Sequence, residues 1–559
     1  MNRREFNRNF LFAGGVLGTT PLSRLMAQNA SSPLPAAPGD TQSKAQGKTN
    51  RVNGVIYGTR AGRRFPLPDV RVSNGREVVL TGRLGRYQLP VQEGDIVFVV
   101  KPRGYALPVN DLNLPRFYRI HQPAGSPPQK YPGIAPTGGL PLSLNFTLQA
   151  QPEPDEFRVL LFGDPQSRNQ EEIDFLTRDI IANVAGEHAA FGVSLGDQSF
   201  DDPAIYPSQN RAIATLGMPW FNIVGNHDLD FDAPDRTHST ETFKATFGPT
   251  YYSFDYGSAH FIVLDNVAYH GKTGESPANG KPDLQTLDGK RRGSFHTELG
   301  AKQLEWLKND LSFVPRAQLV VIMMHIPLVD PEGIARSDLR DLTAFFRLIE
   351  NRPHTLSISG HTHFQTHLFL GREAGFNGTG EHHHFNQGAT CGSWWHGMRD
   401  ARGIPQPEMR DGTPNGHAFL NVKGHSYSLD YRAARRPANY QMNIYAPAEV
   451  APTDLAKTEI LANVFAGSKR SRVEMQIASG QWRPMQLAPR LDPAYLAAKA
   501  AQEVSPKTAG RKLPVAINSP HIWAANLPEQ LPSGAHMIRV RALDMWGKTH
   551  EDRVIIRVT

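Results

Sequence analysis

The tetrapeptide Gly225-Asn226-His227-Asp228 follows directly on the apolar run Trp220-Phe221-Asn222-Ile223-Val224. A short apolar run bounded by a turn residue is typical of a buried β-strand, so the polar residues lie just beyond the strand's carboxyl end. Taken alone, this arrangement indicates only a turn. Four other apolar runs in the chain end in the same way, in Asp, Gln or His, and together the five ends predict a metal site.

The five strand ends occur within a segment where apolar runs alternate with helical periodicity, which is typical of an α/β layer structure. The ends are Gly163-Asp164-Pro165-Gln166, Gly196-Asp197, Gly225-Asn226-His227-Asp228, His325 after Val320-Val321-Ile322-Met323-Met324, and Gly360-His361-Thr362-His363. We predict strands over residues 159–162, 191–195, 220–224, 261–264, 319–324 and 355–358. Helical stripes are formed by Ile173, Leu176, Ile180 and Val184, by Leu304, Leu307 and Leu311, and by Leu339, Leu342, Phe346 and Ile349. In open α/β sheets, functional residues gather beyond the carboxyl ends of the strands.

The regions on either side of this segment have the short β-type runs and turn signals that are typical of all-β domains. Residues 51–150 contain short β-type runs with an Asn74-Gly75 turn, a strong hairpin signal, and predict a small prealbumin-like sandwich. Residues 437–559 predict a second sandwich, of immunoglobulin or fibronectin type, with a short helix or irregular insertion within 488–513. The predicted organisation is therefore α/β over residues 151–436, between an N-terminal and a C-terminal all-β sandwich domain.

The N-terminus reads as a targeting segment. Residues 1–30 contain Arg3-Arg4-Glu5-Phe6 before a moderately apolar run and resemble a twin-arginine export signal; residues 31–50 are rich in Ser, Pro, Ala and Gly and predict a flexible linker. The interpretation predicts a periplasmic or otherwise exported protein that the twin-arginine machinery carries already folded. The alternative is an ordinary basic N-terminus.

Composition limits the remaining classes. The chain has 559 residues, 39% hydrophobic and 20% charged, and no apolar run approaches the roughly 20 residues that span a bilayer, so we expect no stable membrane anchor. Four arginines against one glutamate in the first thirty residues supply much of the formal charge of +7, which leaves little to indicate a nucleic-acid partner. Cys391 is the only cysteine and excludes an intramolecular disulfide. Composition does not settle the oligomeric state; we expect a monomer.

The five strand ends resemble, in order and content, the motifs of the calcineurin-like metallophosphoesterases. That family carries Asp-x-His, Gly-Asp, Gly-Asn-His-Asp or -Glu, an isolated His after a strand, and Gly-His-x-His, and the resemblance covers residues 158–365. It implies a central β-sandwich flanked by helices and a centre of two divalent ions. Two ions about 3.5–4 Å apart clamp the attacking and leaving oxygens of an in-line displacement at phosphorus and activate a bridging water.

The resemblance also implies a role for each matching residue. The first ion is held by Asp164, Gln166, Asp197 and His363, and the second by Asp197, Asn226, His325 and His361, with Asp197 as the bridge. His227 stabilises phosphoryl charge or protonates the leaving oxygen, and Asp228 orients His227 by a hydrogen bond. The departure is Gln166, where the family most often has His. Because an amide oxygen is a harder and weaker ligand than imidazole, metal identity among Mn, Fe, Zn and Mg stays open.

Several other residues are candidates for contacts with the substrate. Arg168 and Asn210 are possible phosphate ligands, or else they cap or solvate their helices. Trp394 and Trp395, in a Gly-rich loop, form either a domain-interface core or a wall for an organic leaving group. The run His382-His383-His384 is interpreted as a surface or packing cluster rather than a third metal site, because no acidic or Cys partner lies nearby in sequence. The loops at 266–298 and 366–415 are predicted to shape the pocket.

These observations predict an exported binuclear metal hydrolase that attacks phosphate mono- or diesters with a bridging hydroxide, on a small-molecule or polymer substrate. Two alternatives remain at this stage. One is a non-catalytic surface protein that binds glycan or polymer on a metallophosphoesterase scaffold. The other is a nuclease or cyclic-nucleotide phosphodiesterase, which shares the metal chemistry but lacks support from charge or aromatic-basic interleaving.

Overall fold

A computed structural model describes residues 50–271, 294–331, 338–504 and 510–559. The predicted export signal and almost all of the predicted linker lie outside the described residues, as does most of the loop at 266–298. None of the helices in these ranges combines the length and apolar character needed to cross a membrane.

The N-terminal module is built from two small sheets that enclose an apolar core including Val52, Ile56 and Leu89. The predicted hairpin at Asn74-Gly75 is confirmed, since β3 and β4 pair antiparallel around it and Gly75 adopts a φ of 83°. The strands are β1 (Asn50–Arg60), β2 (Arg63–Pro66), β3 (Arg71–Ser73), β4 (Val78–Leu80), β5 (Arg86–Val91), β6 (Ile96–Val99), β7 (Tyr105–Ala106), β8 (Tyr118–Ile120) and β9 (Phe146–Ala150).

The central α/β region contains two larger sheets, with strand orders β12-β11-β10-β21-β22 and β13-β14-β17-β18-β20-β19. Its strands are β10 (Glu156–Phe162), β11 (Phe191–Ser194), β12 (Trp220–Asn222), β13 (Tyr252–Tyr256), β14 (Ala259–Val263), β15 (Val267–Tyr269), β16 (Phe295–Thr297), β17 (Leu319–Met323), β18 (Thr355–Ser359), β19 (Thr366–Leu370), β20 (His382–Asn386), β21 (Gly416–Lys423) and β22 (Ser426–Ala433). Its helices are α1 (Gln170–Leu176), α2 (Ala182–Val184), α3 (Tyr206–Ala214), α4 (Glu241–Phe247), α5 (Ala301–Leu311) and α6 (Leu342–Ile349). All six predicted strands are present, and a π-helical turn, Thr177–Ile181, joins α1 to α2.

Parallel pairing in both sheets determines where the site forms. Strands β10, β11 and β12 run parallel to one another, and so do β14, β17, β18 and β20. Nearly all residues of β10 and β17 are buried, which explains why these two strands read as continuous apolar runs rather than as alternating ones. Because parallel neighbours end at the same edge of a sheet, the motifs that follow them are brought together there.

The C-terminal module is strand-rich, as predicted, and of the short helix or irregular insertion expected within residues 488–513 the structure has the helix, α7. Its two main sheets enclose a core that includes Ile460, Val473 and Ile538. The elements are β23 (Met442–Tyr445), β24 (Glu449–Val450), β25 (Glu459–Val464), β26 (Arg472–Ile477), β27 (Arg483–Pro484), β28 (Gln486–Leu487), β29 (Arg490–Leu491), α7 (Pro493–Val504), β30 (Asn518–Ser519), β31 (Ile522–Asn526), β32 (Gly534–Leu543) and β33 (Thr549–Val558). The domain boundaries and the likenesses to prealbumin and immunoglobulin domains stay predictions.

The N-terminal module is joined to the central region through shared core and buried charge. Phe98 packs edge-on against Trp306 of α5, with ring centroids 6.2 Å apart. Arg71 forms ion pairs with Asp255 and Asp310, and both carboxyls also contact the buried His260, at 2.7 and 2.8 Å. The module is therefore part of the same folded unit as the α/β region.

Candidate metal centre and active site

The strand ends converge as the sequence predicts. Asp164, Asp197 and Asn226 follow the parallel strands β10, β11 and β12, while His325 and the pair His361 and His363 follow β17 and β18. With the exception of the half-buried His361, these side chains are 0–2% exposed. Polar side chains of this kind remain buried only when something satisfies them.

Four of these residues adopt backbone conformations that are unfavourable for side chains other than glycine. The φ angles of Asp164, Asp197, His361 and His363 are 41°, 51°, 75° and 55°. Each such residue costs about 1–3 kcal/mol, and such strain persists mainly at functional sites, where the surrounding structure enforces it. The strain indicates that these side chains are held in a particular arrangement.

The residues predicted to hold the second ion form a close group. Asp197, His325 and His361 each offer a ligand atom, and these atoms lie within 4.8 Å of one another. Asn226 Oδ1 is 3.0 Å and His361 Nδ1 3.2 Å from His325 Nε2. His325 Nδ1 donates to the Leu195 carbonyl at 2.9 Å, which leaves Nε2 as the atom facing the group, the arrangement typical of metal-binding histidines.

The residues predicted to hold the first ion are also brought together. Gln166 Nε2 donates to Asp197 Oδ2 at 3.2 Å, and His363 Nε2 lies 3.8 Å from Asp164 Oδ1. His363 Nδ1 donates to the Gly392 carbonyl at 2.5 Å, so its Nε2 faces the site. Asp164 Oδ1 and Gln166 Oε1 are buried without a hydrogen-bond partner among the described residues. Buried acceptors without a donor fit a site for a cation.

The electrostatics of the protein without ions are consistent with this fit. Burial, together with Asp197, raises the pKa of Asp164 to about 8 although His325 opposes the shift. Burial alone would lower the pKa of His325, but Asp197 outweighs it and the pKa rises to about 9. Without a metal, both shifts favour a bound proton, on Asp164 as well as on His325. A divalent ion can replace these protons and balance the negative charge of the carboxylates.

The residue that orients His227 is Asp201, so the prediction for Asp228 is wrong. His227 Nδ1 lies 2.6 Å from Asp201 Oδ1, and these side chains are 18% and 5% exposed. Asp228 is fully buried and instead accepts hydrogen bonds from the backbone N–H groups of Gly225 and Ser199 and from the Tyr206 hydroxyl, at 2.9, 3.1 and 3.0 Å. Because these three donors occupy its carboxylate, Asp228 holds the loop around residues 225–228 together and does not bind His227. The signal for Asp201 in the sequence was an acid four residues after Asp197.

One wall of the site is a stack of three planar groups that includes Arg168. The Arg168 guanidinium lies 3.9 Å from the Phe200 ring centroid, and Phe200 stacks on His227 at 4.6 Å. Arg168 is also bound by Glu172 at 3.2 Å and donates to the Trp394 carbonyl at 2.9 Å. Arg168 therefore supports the wall, and Phe200 is a site residue that sequence reasoning missed.

The two adjacent tryptophans have different environments. Trp394 stacks on the His363 ring, with centroids 3.9 Å apart, and remains half-buried, which makes it a wall beside the first-ion group. Trp395 is 2% exposed and packs against Phe175 in a second core. Of the two roles considered for these tryptophans, core or wall, Trp395 therefore has the core role.

The remaining candidates are buried side chains. Asn210 is 4% exposed within α3, and its amide nitrogen has no hydrogen-bond partner among the described residues, so it is neither a cap nor available to substrate. His382, His383 and His384 are buried in β20, which confirms a packing cluster in preference to a surface one. Cys391 is a buried free thiol whose pKa is raised by burial.

Comparison with known proteins gives three family matches in chain order. They are the N terminal of Calcineurin-like phosphoesterase over residues 54–131, Calcineurin-like phosphoesterase over 157–365, and the C terminal of Calcineurin-like phosphoesterase over 384–550. An acid phosphatase from Aspergillus ficuum is 28% identical over 148 residues, which are 24% of this chain and 24% of that protein. The chain thus matches about a quarter of the length of this relative.

Two solved structures are also similar. A dimetal phosphatase from Danio rerio is 15% identical, with 50% of this chain and 96% of that chain covered and a TM-score of 0.33. The purple acid phosphatase PPD1 from yellow lupin (Lupinus luteus) seeds is 14% identical, with 68% and 67% covered and a TM-score of 0.35. These TM-scores are too low to bear on the assignment, which depends on the family matches. Because the catalytic domain and both of its terminal extensions match in order, the chain belongs to the calcineurin-like phosphoesterase superfamily.

Proposed function

We propose that this protein is a binuclear metal-dependent hydrolase of phosphoric esters. One observation carries the proposal: Asp197, His325 and His361 bring ligand atoms within 4.8 Å of one another, and the side chains of Gln166 and Asp164, which contact Asp197 and the His361 backbone, each keep a buried oxygen without a hydrogen-bond partner among the described residues. Such a cluster of acceptors is costly to bury without cations, and the strained φ angles show that the fold maintains it.

Two divalent ions fit the residues present. Asp164, Gln166, Asp197 and His363 would hold the first, and Asp197, Asn226, His325 and His361 the second. When bound, such ions polarise the phosphoryl group, lower the pKa of water and neutralise charge on the attacking and leaving oxygens. The mixture of carboxylate, imidazole and amide oxygen is compatible with Mn, Fe, Zn or Mg.

The chain's own residues supply orientation and proton transfer. His227 donates through Nδ1 to Asp201, so its Nε2 is the nitrogen that remains for a phosphoryl or leaving oxygen. The stack of Phe200 on one face of His227 restricts rotation of the ring. A protonated Nε2 would donate a hydrogen bond to the developing charge and then pass its proton to the leaving oxygen.

The test is hydrolysis of artificial mono- and diesters by metal-reconstituted protein. Asp197→Asn and His325→Ala should abolish hydrolysis while the variants stay folded by circular dichroism. Asp310→Asn is the matched control, because it removes a buried carboxyl that lies outside the site, and it should keep wild-type activity. Wild-type activity in both site variants would overturn the assignment. If the wild type binds two ions but cleaves neither ester, the non-catalytic binding protein becomes the better description.

We also propose that the protein is exported through the twin-arginine machinery. The consecutive arginines Arg3 and Arg4, followed by Phe6 and an apolar run, support this proposal. Arg3→Lys combined with Arg4→Lys should keep the protein in the cytoplasm when cells are fractionated, whereas the wild type should be found outside the cytoplasm. Equal distribution of the two forms would contradict twin-arginine export.

A further inference from the structure

A ladder of hydrogen-bonding side chains lies between strands β18 and β20 and leads to the loop that carries His361 and His363. In a strand, every second side chain lies on the same face. The parallel register pairs Ser357 with His384 and Ser359 with Asn386, so hydroxyls and imidazoles alternate along one face. The members of this ladder are Thr355, His382, Ser357, His384, Ser359 and Asn386, and all but Thr355 are buried. Neither of the proposed metal-ligand sets includes them.

The contacts of the ladder are continuous. Thr355 Oγ1 lies 2.9 Å from His382 Nδ1, and His382 Nε2 lies 2.8 Å from Ser357 Oγ. Ser357 Oγ is 2.7 Å from His384 Nδ1, and His384 Nε2 is 2.9 Å from Ser359 Oγ. Ser359 Oγ donates to Asn386 Oδ1 at 3.0 Å. Asn386 Nδ2 then donates to Thr362 Oγ1 at 2.5 Å and to the Phe364 carbonyl at 2.7 Å.

The Asn386 end fixes the direction of every hydrogen bond in the ladder. The Phe364 carbonyl can only accept, so the amide nitrogen must face it and Asn386 Oδ1 must face Ser359. Ser359 therefore donates to Asn386 and accepts from Nε2–H of His384. The same reasoning, repeated through Ser357, places the hydrogen of His382 on Nε2 as well. Both imidazoles are thus assigned to the neutral Nε2–H tautomer. Burial lowers the pKa of each to about 3, which is consistent with neutral rings.

The Asn386 amide contacts the metal-ligand loop on both sides of His363. Thr362 lies between His361 and His363, and Phe364 follows His363 directly. Both histidines have positive φ, at 75° and 55°, and such conformations persist only where neighbouring contacts enforce them. A single rigid amide that binds Thr362 and Phe364 at once provides that enforcement next to the two ligands.

We propose that Asn386, with its amide orientation fixed by the ladder, is the positioning residue for His361 and His363 and thereby sets the affinity of the metal centre. This inference rests on the proposed function, because it assigns ion binding to those two histidines. The hydrogen bonds of the ladder connect Asn386 to Thr355, so residues along the whole length of the two strands help to fix the orientation of the Asn386 amide. Residues that orient metal ligands typically contribute 10- to 100-fold in metal affinity.

The first experiment compares Asn386→Asp and Asn386→Ala with the wild type. Asn386→Asp keeps the shape but removes both donated hydrogen bonds, and it places a carboxylate against the Phe364 carbonyl. We expect metal dissociation constants, measured by chelator competition and elemental analysis on folded protein, to rise about 10- to 100-fold in both variants. The ion next to His363 should be lost first, since the amide holds both neighbours of that residue.

Asn74→Ala is the matched control. Asn74 is a buried asparagine of the N-terminal module whose amide donates to Glu77 at 2.5 Å and to the Pro90 carbonyl at 2.8 Å. The substitution Asn74→Ala should lower the unfolding temperature without changing the metal dissociation constants. If the Asn386 variants also lose only stability and keep wild-type metal affinity, Asn386 has a structural role alone and the inference is wrong.

The second experiment reads the tautomers directly. In protein labelled with ¹⁵N-histidine and loaded with a diamagnetic ion, the side-chain signals of His382 and His384, assigned by single substitutions, should both be those of Nε2–H rings. Thr355→Val removes the last hydroxyl with little change of shape, and we expect it to alter the His382 signal; Thr355→Ser should restore it. A hydrogen on Nδ1 of either ring would overturn the proposed direction of the ladder. Failure of the wild type to bind ions would count against the proposed function instead, because the tautomers are measurable without metal.

Discussion

Asp201→Asn tests the assignment of His227 as the group that acts on the leaving oxygen. Asparagine is nearly isosteric with aspartate, so the 2.6 Å contact with His227 Nδ1 can persist while the negative charge is lost. The carboxylate stabilises the imidazolium form of His227, and an amide oxygen does so less well. The ring should therefore keep its place but become a weaker proton donor.

The expected magnitude follows from the environment of this pair. The two side chains are 18% and 5% exposed, so solvent screens their interaction only partly. A hydrogen bond to a charged partner contributes about 1.5–3 kcal/mol. At about 1.4 kcal/mol per factor of ten, its loss in the transition state should lower kcat about 10- to 150-fold, with a small change in KM.

The assay compares an aryl phosphate, whose leaving group departs without protonation, with an alkyl phosphate, whose leaving group requires it. Asp201→Asn should slow hydrolysis of the alkyl ester more than that of the aryl ester. Asp228→Asn is the contrast: it weakens the loop that Asp228 holds, so stability and metal affinity should fall while the ratio of the two rates stays at the wild-type value. An unchanged ratio in Asp201→Asn, or a changed ratio in Asp228→Asn only, would refute the role given to Asp201.

Four further outcomes are expected. Burial alone would lower the pKa of His260, but Asp310 and Asp255 outweigh burial and the pKa is raised, so the stability that the charged ring contributes should be complete below about pH 6.5 and lost as pH rises through the folded-state pKa. We therefore expect His260→Gln to lower the free energy of unfolding in urea by about 1.5–3 kcal/mol at pH 6 and by less at higher pH. An equal loss at all pH values would contradict this expectation. Gln166→His should strengthen metal retention on dialysis, because imidazole is the stronger ligand; unchanged metal content would count against a weak first site. Trp394→Ala should raise KM for aryl phosphates about 2- to 10-fold in steady-state assays while kcat is largely kept, and equal KM values would argue against a wall role. Removal of metal by a chelator should lower the free energy of unfolding by about 3 kcal/mol for each ion lost, relative to protein with free metal at a hundred times Kd, and re-addition should restore it.

The strands and the ligand types could be predicted because both depend on local sequence. A fully buried parallel strand tends to be a continuous apolar run, and β10 and β17 read that way, whereas β18 alternates polar and apolar residues. A ligand must also have the right chemistry whatever its surroundings, so Asp164, Asp197, Asn226, His325 and the two histidines after β18 were recognisable as a set. The shared edge of parallel strands implied that the ligands after β10, β11 and β12 would meet, and likewise those after β17 and β18, while the meeting of the two sheets is a tertiary feature.

Contacts between distant residues could not be predicted in the same way. His227 has acidic neighbours at positions 201 and 228, and sequence proximity favoured Asp228. The fold gives Asp228 three other donors and brings Asp201 to His227 from the preceding loop. Likewise the sequence does not distinguish Trp394 from Trp395. In the fold the two side chains point in different directions, so Trp394 stacks on His363 and Trp395 packs in a core.

The sequence by itself therefore determined the superfamily and the positions of the strands and supplied the candidate metal ligands, because apolar periodicity and ligand chemistry are properties of each segment. Only the tertiary structure decided which carboxylate orients His227, which tryptophan lines the site, and how Asn386 reaches the loop of His361 and His363. Those choices depend on strand register and side-chain direction across the fold. A shift of one residue in the pairing of β18 with β20 would place Ser359 beside a different residue and disconnect the ladder from the metal centre.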